Sequence, residues 1–301
     1  MSPVKHEALA YDGAEAFAPL CRTLTAEALA ADRPVLLLMA GDRLAAVADE
    51  LGPDQHEVTF VPTDVAGRNP ARITALLDGF RGASPLRRGL ALTDWGLAGR
   101  SPAVLAETEF AESLLNVAGD PWAIELGCLY DAATLPEPVL AGMRRAHPSV
   151  RGETGNADFR PGLAADLFAT DLVAAPDELT VRPFGPAGLS AARAAVRAFA
   201  DGAGLPAARA EDLVLAANEI VTNSIRHGGG TAHLTLWQQD GSVLCQVTDT
   251  GRMSDPMAGR RLPSPSAGSG RGLWLANQLC DLVQVRSSAA GTVVRLLVDR
   301  L

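Results

Sequence analysis

Lysine is almost absent: Lys5 is the sole one, against 25 arginines, in a chain of 301 residues. A phosphate-loop lysine and a Schiff-base lysine are thereby excluded, because each needs an amine held deep in a structured site. The four cysteines, Cys21, Cys128, Cys245 and Cys280, form no C-x-x-C pair and meet no paired histidines. Their spacing predicts no metal cluster of the zinc kind. Positive charge is not in excess either. With a formal net charge of −9, the surface is unsuited to the counterion release that drives non-specific nucleic-acid binding, so no nucleic acid is expected as a partner. Long apolar runs are missing too: PVLLLMAG is the longest, far too short for a bilayer, and MSPVKHEALAYDG lacks the apolar centre of a signal peptide. No membrane association and a reduced, cytoplasmic setting are expected. The Ala/Arg/Gly/Pro-rich usage in place of lysine suggests a GC-rich bacterial genome.

What is present is enough chain for two domains, since single cores stop growing near this length. From Ala8 onward, helical patterns alternate with short apolar runs, an order that favours parallel strands covered by helices. Helices are expected at 15–30, 42–51, 70–80, 101–117 and 136–146, and strands at 34–40, 57–61, 89–94 and 122–130. The first 150 residues therefore read as an open, doubly wound α/β domain. Ligands of such sheets gather at the carboxyl ends of the strands, where Asp94, Asp131, Arg68, Asn69 and Arg100 stand. Either they line a pocket for a small ligand, or they are helix caps and loop residues. Residues 151–178 mix Gly, Pro and acidic residues with little period and read as a linker with one short helix at 162–169.

The second domain, 179–301, is organised around EDLVLAANEIVTNSIRH at 211–227. On a helix, Leu213, Val214, Ala217, Ile220, Val221 and Ser224 share a packing side, and Asp212, Ala216, Glu219, Asn223 and Arg226 share the other. Glu219 and Asn223 stand one turn apart, so their oxygens can address one hydrated cation or one hydroxyl. Helix 188–202, with Ser190 as its cap, is expected before this one. Strands at 231–238 and 242–249 are joined at Gln239-Asp240-Gly241, and the second runs into Asp249, with Gly251 making the turn. Finally GSGRGLWLANQL places Gly268, Gly270 and Gly272 before an apolar helix, an arrangement of bare backbone donors suited to phosphate.

These four motifs, N-E-x-V-T-N, strand-Asp-x-Gly, G-x-G-R-G-L and a last strand opening Gly291-Thr292, follow one another as in the Bergerat-fold (GHKL) ATPases. Within that superfamily the chain most resembles the anti-sigma-factor serine/threonine kinases, over roughly residues 180–301. The resemblance implies an α/β-sandwich that binds ATP and Mg²⁺. It implies Glu219 as general base, Asn223 as the Mg²⁺ ligand and Asp249 as acceptor for the adenine amino group. Gly251 then makes the adenine-side turn, Gly268, Gly270, Arg271, Gly272 and Leu273 the phosphate turn, and Thr292 a neighbour of the adenine. It further implies a sigma factor and an anti-anti-sigma (STAS) protein as partners, and homodimers are common in that group. One position departs: Met253 stands where D-x-G-x-G has its second glycine.

The stretch 252–267 is expected to be a mobile lid, with Arg260, Arg261 or Arg271 reaching the terminal phosphates and Arg271 preferred. His227 is expected as a helix-end residue, and Trp237 and Trp274 as core. A histidine kinase would need a phosphoacceptor histidine on a dimerising hairpin, and none is found: His147 abuts Pro148 at a helix end. A nucleotide-dependent binder without transfer activity stays open beside the kinase.

The first half carries a second resemblance, in HEALAY, GRNPARI, GLAGRSPAVLAETEFAESLLN and CLYD, to the MEDS sensory domain, which implies a RecA-like sheet without a phosphate loop. The first strand is expected to run into MAGDRLAAV.

Overall fold

The computed structural model describes residues 5–63, 69–83, 87–118, 122–176, 179–181, 185–230, 232–263 and 271–300. It divides into two units, 1–164 and 165–301, the division falling inside the stretch 151–178.

In the first unit, the run Val35-Leu36-Leu37-Leu38-Met39 has no polar side, and it forms a strand buried on both faces. Val35, Leu37 and Met39 meet Phe17, Cys21, Leu44 and Val47, while Leu36 and Leu38 meet Ile73, Leu77, Leu115 and Trp122 on the opposite face. That two-sided burial is what a parallel sheet between helical layers requires. The strands are β1 (Lys5–Tyr11), β2 (Val35–Met39), β3 (Val58–Pro62), β4 (Gly89–Thr93), β5 (Ile124–Asp131) and β6 (Ser149–Val150), in the order β3-β2-β4-β5-β1-β6. Every pairing is parallel. The helices are α1 (Ala14–Ala30), α2 (Gly41–Leu51), α3 (Ile73–Ala83), α4 (Pro102–Val117) and α5 (Glu137–Ala146). The doubly wound α/β class is as expected.

The expected first strand is corrected. The chain opens with β1, inserted between β5 and β6, and what runs into MAGDRLAAV is β2. β1 escapes the pattern because two of its buried positions hold His6 and Ala8, which give no apolar run.

In the second unit, α7 (Gly185–Gly202), α8 (Ala207–His227) and α9 (Arg271–Leu279) accompany a separate antiparallel sheet; α6 (Leu163–Ala169) lies at the division. The sheet contains β7 (Leu179–Val181), β8 (His233–Gln239), β9 (Ser242–Asp249), β10 (Leu282–Ser288) and β11 (Gly291–Asp299), in the order β10-β11-β9-β8-β7. α8 packs on β9 and β11 and is flanked by α7 and α9. Flanking on both sides widens its buried surface, so Ala216, expected on the outward side, is fully buried. Ser190 is not a cap, because α7 starts at Gly185. The β8–β9 hairpin closes through Asp240 and Gly241, at φ of 49° and 83°. This is the left-handed pair that matches the strands' twist. Among the described residues no helix is long and apolar enough to cross a membrane.

β11 begins at Gly291, whose φ of +132° suits glycine and whose missing side chain lets the Asp249 carbonyl approach. A Cβ there would lie 2.1 Å from that oxygen. Gly291→Ala should therefore cost the second unit about 2 kcal/mol or more. The check is a lower urea midpoint for that unit at unchanged slope.

Candidate functional site

α8 is half-buried along the side that carries Glu219 and Asn223, and both side chains point toward the start of α9. Gly272, in the first turn of α9, sits directly on them: a Cβ there would lie 2.8 Å from Glu219 Oε2 and 3.1 Å from Asn223 Nδ2. Only a residue without a side chain lets the two helices meet so closely. The first turn of α9 thus comes next to a carboxylate and a side-chain amide.

The adjoining turn is built by local hydrogen bonds. The Gly251 amide donates to Asp249 Oδ1 at 2.8 Å, closing an Asx turn, and Thr250 Oγ1 donates to the Gly228 carbonyl at the end of α8. Thr292 pairs with Asp249 across β9 and β11, and its hydroxyl donates to the Gly251 carbonyl at 2.8 Å. That proton being used, Ser287 Oγ, 3.0 Å away, donates to Thr292 Oγ1. Ser287 Oγ itself accepts from the Met253 amide at 2.9 Å. Among the described residues no hydrogen bond engages Asp249 Oδ2.

These residues enclose a cavity of about 390 Å³, within the usual range for small-molecule sites. Ile220, Leu273, Val294 and Met253 supply apolar wall; Asn223, Asp249 and Thr292 supply polar groups. Glu219 lies one helical turn from Asn223, beneath Gly272. The donor set suits a hard cation, which takes oxygen ligands. The space at Gly272 is a cradle that a side chain would fill.

Of the other expected site residues, Gly251 and Leu273 line the cavity, and Arg271 is exposed at the first position of α9. Gly268 and Gly270 lie outside the described residues, as does Arg68. The described part of the expected lid, 252–263, contains turns: Asp255 accepts from Met257 and Ala258, and Met257 from Arg260. Arg260 is buried. His227 is exposed as the last residue of α8. Trp237 is buried and Trp274 half-buried.

In the first unit, the candidates at the strand ends are engaged locally. Asp94 accepts from the Gly96 amide and pairs with Arg43. Arg43 also donates to the Tyr11 hydroxyl and stacks on Phe17. Asp131 Oδ1 accepts from the amides of Gly13 and Ala133. Asn69 caps the short 3₁₀ turn Pro70–Arg72 through the Ala71 amide, and Arg100 donates to the Gly96 carbonyl. These are turn and cap roles for Asp131, Asn69 and Arg100. A constellation missed in the sequence is His6, Cys128 and His147, brought together from β1, β5 and the end of α5. Their separation along the chain left no local spacing to find.

Removing the hydroxyl that ties the turn to β11 tests this construction. Thr292→Val leaves the Gly251 carbonyl without its donor and should cost about 1–3 kcal/mol in urea unfolding. Faster amide hydrogen exchange at Met253 should accompany it.

Residues 183–298 match the family model of the histidine kinase-like ATPase domain. No curated protein matches the chain. Among solved structures, the RsbU and RsbW domains of Rv1364c from Mycobacterium tuberculosis are similar at 20% identity and a TM-score of 0.30. That match covers 40% of this chain and 32% of the other, so it spans about a third of that chain's length. The SiaB-SiaC complex from Pseudomonas aeruginosa is similar at 12% identity and a TM-score of 0.33, over 40% of this chain and 89% of the other.

Proposed function

We propose that the second unit binds ATP with Mg²⁺ and phosphorylates a serine or threonine of a STAS-type anti-anti-sigma partner, acting as a cytoplasmic anti-sigma regulator. A MEDS-type sensory domain in the first 150 residues would set its activity. The observation that carries the proposal is the coincidence of two things. The stretch matched to a histidine kinase-like ATPase domain contains the cavity where Asn223, Asp249 and Thr292 converge beside Glu219 and Gly272.

ATP supplies the transferable phosphoryl group, and Mg²⁺ the positive charge that offsets its oxygens. Asn223 would hold the cation through its amide oxygen. Asp249 Oδ2 would accept from the exocyclic amino group of the base, while Ile220, Leu273 and Val294 cover its faces. The Thr292 hydroxyl fixes the Gly251 carbonyl and with it the turn beside the base. The first turn of α9, from Arg271 through Leu273, would hold the phosphates through its backbone amides, and the Arg271 guanidinium would add charge at its start. Glu219 would serve as the base that accepts the proton of the incoming serine or threonine hydroxyl, with ADP as the leaving group. Positioning and electrostatics supply most of the acceleration in such transfers, so the acceptor must enter in line above Glu219.

A second reading has one observation in its favour. Met253 stands where the resembling family has a glycine, and its amide is tied to Ser287. A turn stiffened in this way suits a protein that holds nucleotide and binds a sigma factor without transferring phosphate.

Incubation with Mg²⁺, labelled ATP and candidate STAS proteins separates the two, since a pure binder leaves every acceptor unlabelled. With transfer present, Glu219→Gln should lower its rate by about 10²-fold or more, the scale of lost general-base catalysis. It should leave nucleotide affinity within a few-fold. Asp249→Asn should weaken nucleotide binding itself, measured by titration calorimetry. Failure of the unsubstituted protein to bind adenine nucleotides would overturn both readings.

A further inference from the structure

The geometry points to a buried binding site for one borderline-soft divalent cation of the zinc class in the first unit, formed by His6, Cys128 and His147. It is independent of the nucleotide site. The three residues are no more than 1% exposed, and their ligand atoms all lie within 4.8 Å of one another. His6 Nε2 is 3.3 Å from Cys128 Sγ. In a tetrahedral site with Zn–N of 2.0–2.1 Å and Zn–S of 2.3 Å, a nitrogen and a sulfur stand about 3.5 Å apart.

The hydrogen bonds around the rings fix which nitrogens are free. Asn116 uses its amide N–H to donate to the Ala146 carbonyl, so the oxygen it turns to His6 Nδ1, at 3.0 Å, is an acceptor. His6 Nδ1 must carry the proton, leaving a bare lone pair on Nε2 facing the sulfur. His147 Nδ1 lies 2.8 Å from the Met143 carbonyl, which can only accept. Its Nε2 is then also a bare lone pair, fully buried and without a partner. Two imidazoles anchored by Nδ1–H on an amide or carbonyl oxygen, each with its Nε2 lone pair bare and buried, are held as metal-ligating histidines are.

Charge fits as well. Glu112 lies against Cys128 and takes a hydrogen bond from the Tyr130 hydroxyl. The Cys128 thiolate formed on binding would bring a negative charge into a core that tolerates no unpaired charge, and the cation would offset it. Binding is balanced by one proton: the cation joins the Cys128 sulfur as the thiol hydrogen leaves to solvent. Nitrogen and sulfur donors select against Mg²⁺ and Ca²⁺.

The test uses the full-length protein, freed of metal with a chelator and titrated with Co²⁺, whose thiolate charge-transfer and tetrahedral visible bands report the ligand set. Uptake of one Co²⁺ per chain is expected, displaceable by Zn²⁺. Cys128→Ser should abolish the charge-transfer band, while Cys280→Ser should leave it intact. Asn116→Ala, which frees the His6 ring, should weaken binding by about 10–100-fold. X-ray absorption on the unsubstituted protein should show one sulfur and imidazole nitrogens around the ion, a reading that stands even where a variant fails to fold. No Co²⁺ uptake by the unsubstituted protein, a shell without sulfur, or a band that survives in folded Cys128→Ser would each overturn the assignment.

Discussion

The second unit depends on one close approach, the backbone of Gly272 against Glu219 and Asn223. It joins two motifs some fifty residues apart in the sequence and sets α9 so that its open end faces the polar side of α8. Everything else in the cavity is arranged relative to that junction. Leu273, the next residue, forms wall, and β11 brings Thr292 across from Asp249. A side chain at 272 would separate the helices and move Leu273, part of the cavity wall, away from α8.

Much of this was legible in the sequence. A helix over 211–227 with Glu219 and Asn223 in phase, a strand delivering Asp249, and the hairpin at Asp240-Gly241 all follow from periodicity and turn chemistry. The cavity gathers residues from motifs whose order alone suggested they belonged together. Less legible was how wide the packed side of α8 would be, because that depends on neighbours on both flanks; Ala216 was misplaced for this reason. The turns in 252–263 were hidden too. Their bonds are short-range pairings of Asp255 and Met257 with nearby amides, in a segment with no apolar period.

The first unit shows a different limit. Its helices and most of its strands are legible, but β1 carries its identity in pairing rather than in hydrophobic pattern. Because β1 was invisible, so was the place of His6, and with it the meeting of His6, Cys128 and His147. Motif spacing detects ligands that share a loop or a helix. It is blind to ligands that a parallel sheet gathers from both ends of a domain. At the carboxyl ends of the strands, by contrast, the simple expectation of caps accounts for Asp131 and Asn69. Arg43, meanwhile, occupies space between Tyr11 and Asp94.

The position of β1 between β5 and β6 also bears on how the polypeptide comes off the ribosome. Lys5 pairs in register with Glu125 and Ala8 with Val150, so β1 has no sheet neighbour until well over a hundred further residues have been made. At 5–20 residues per second that delay is on the order of ten seconds. Through that interval β2, β3 and β4 can assemble, while β1 waits as an unpaired edge in need of protection, and the domain closes only when β1 is threaded between its last two strands.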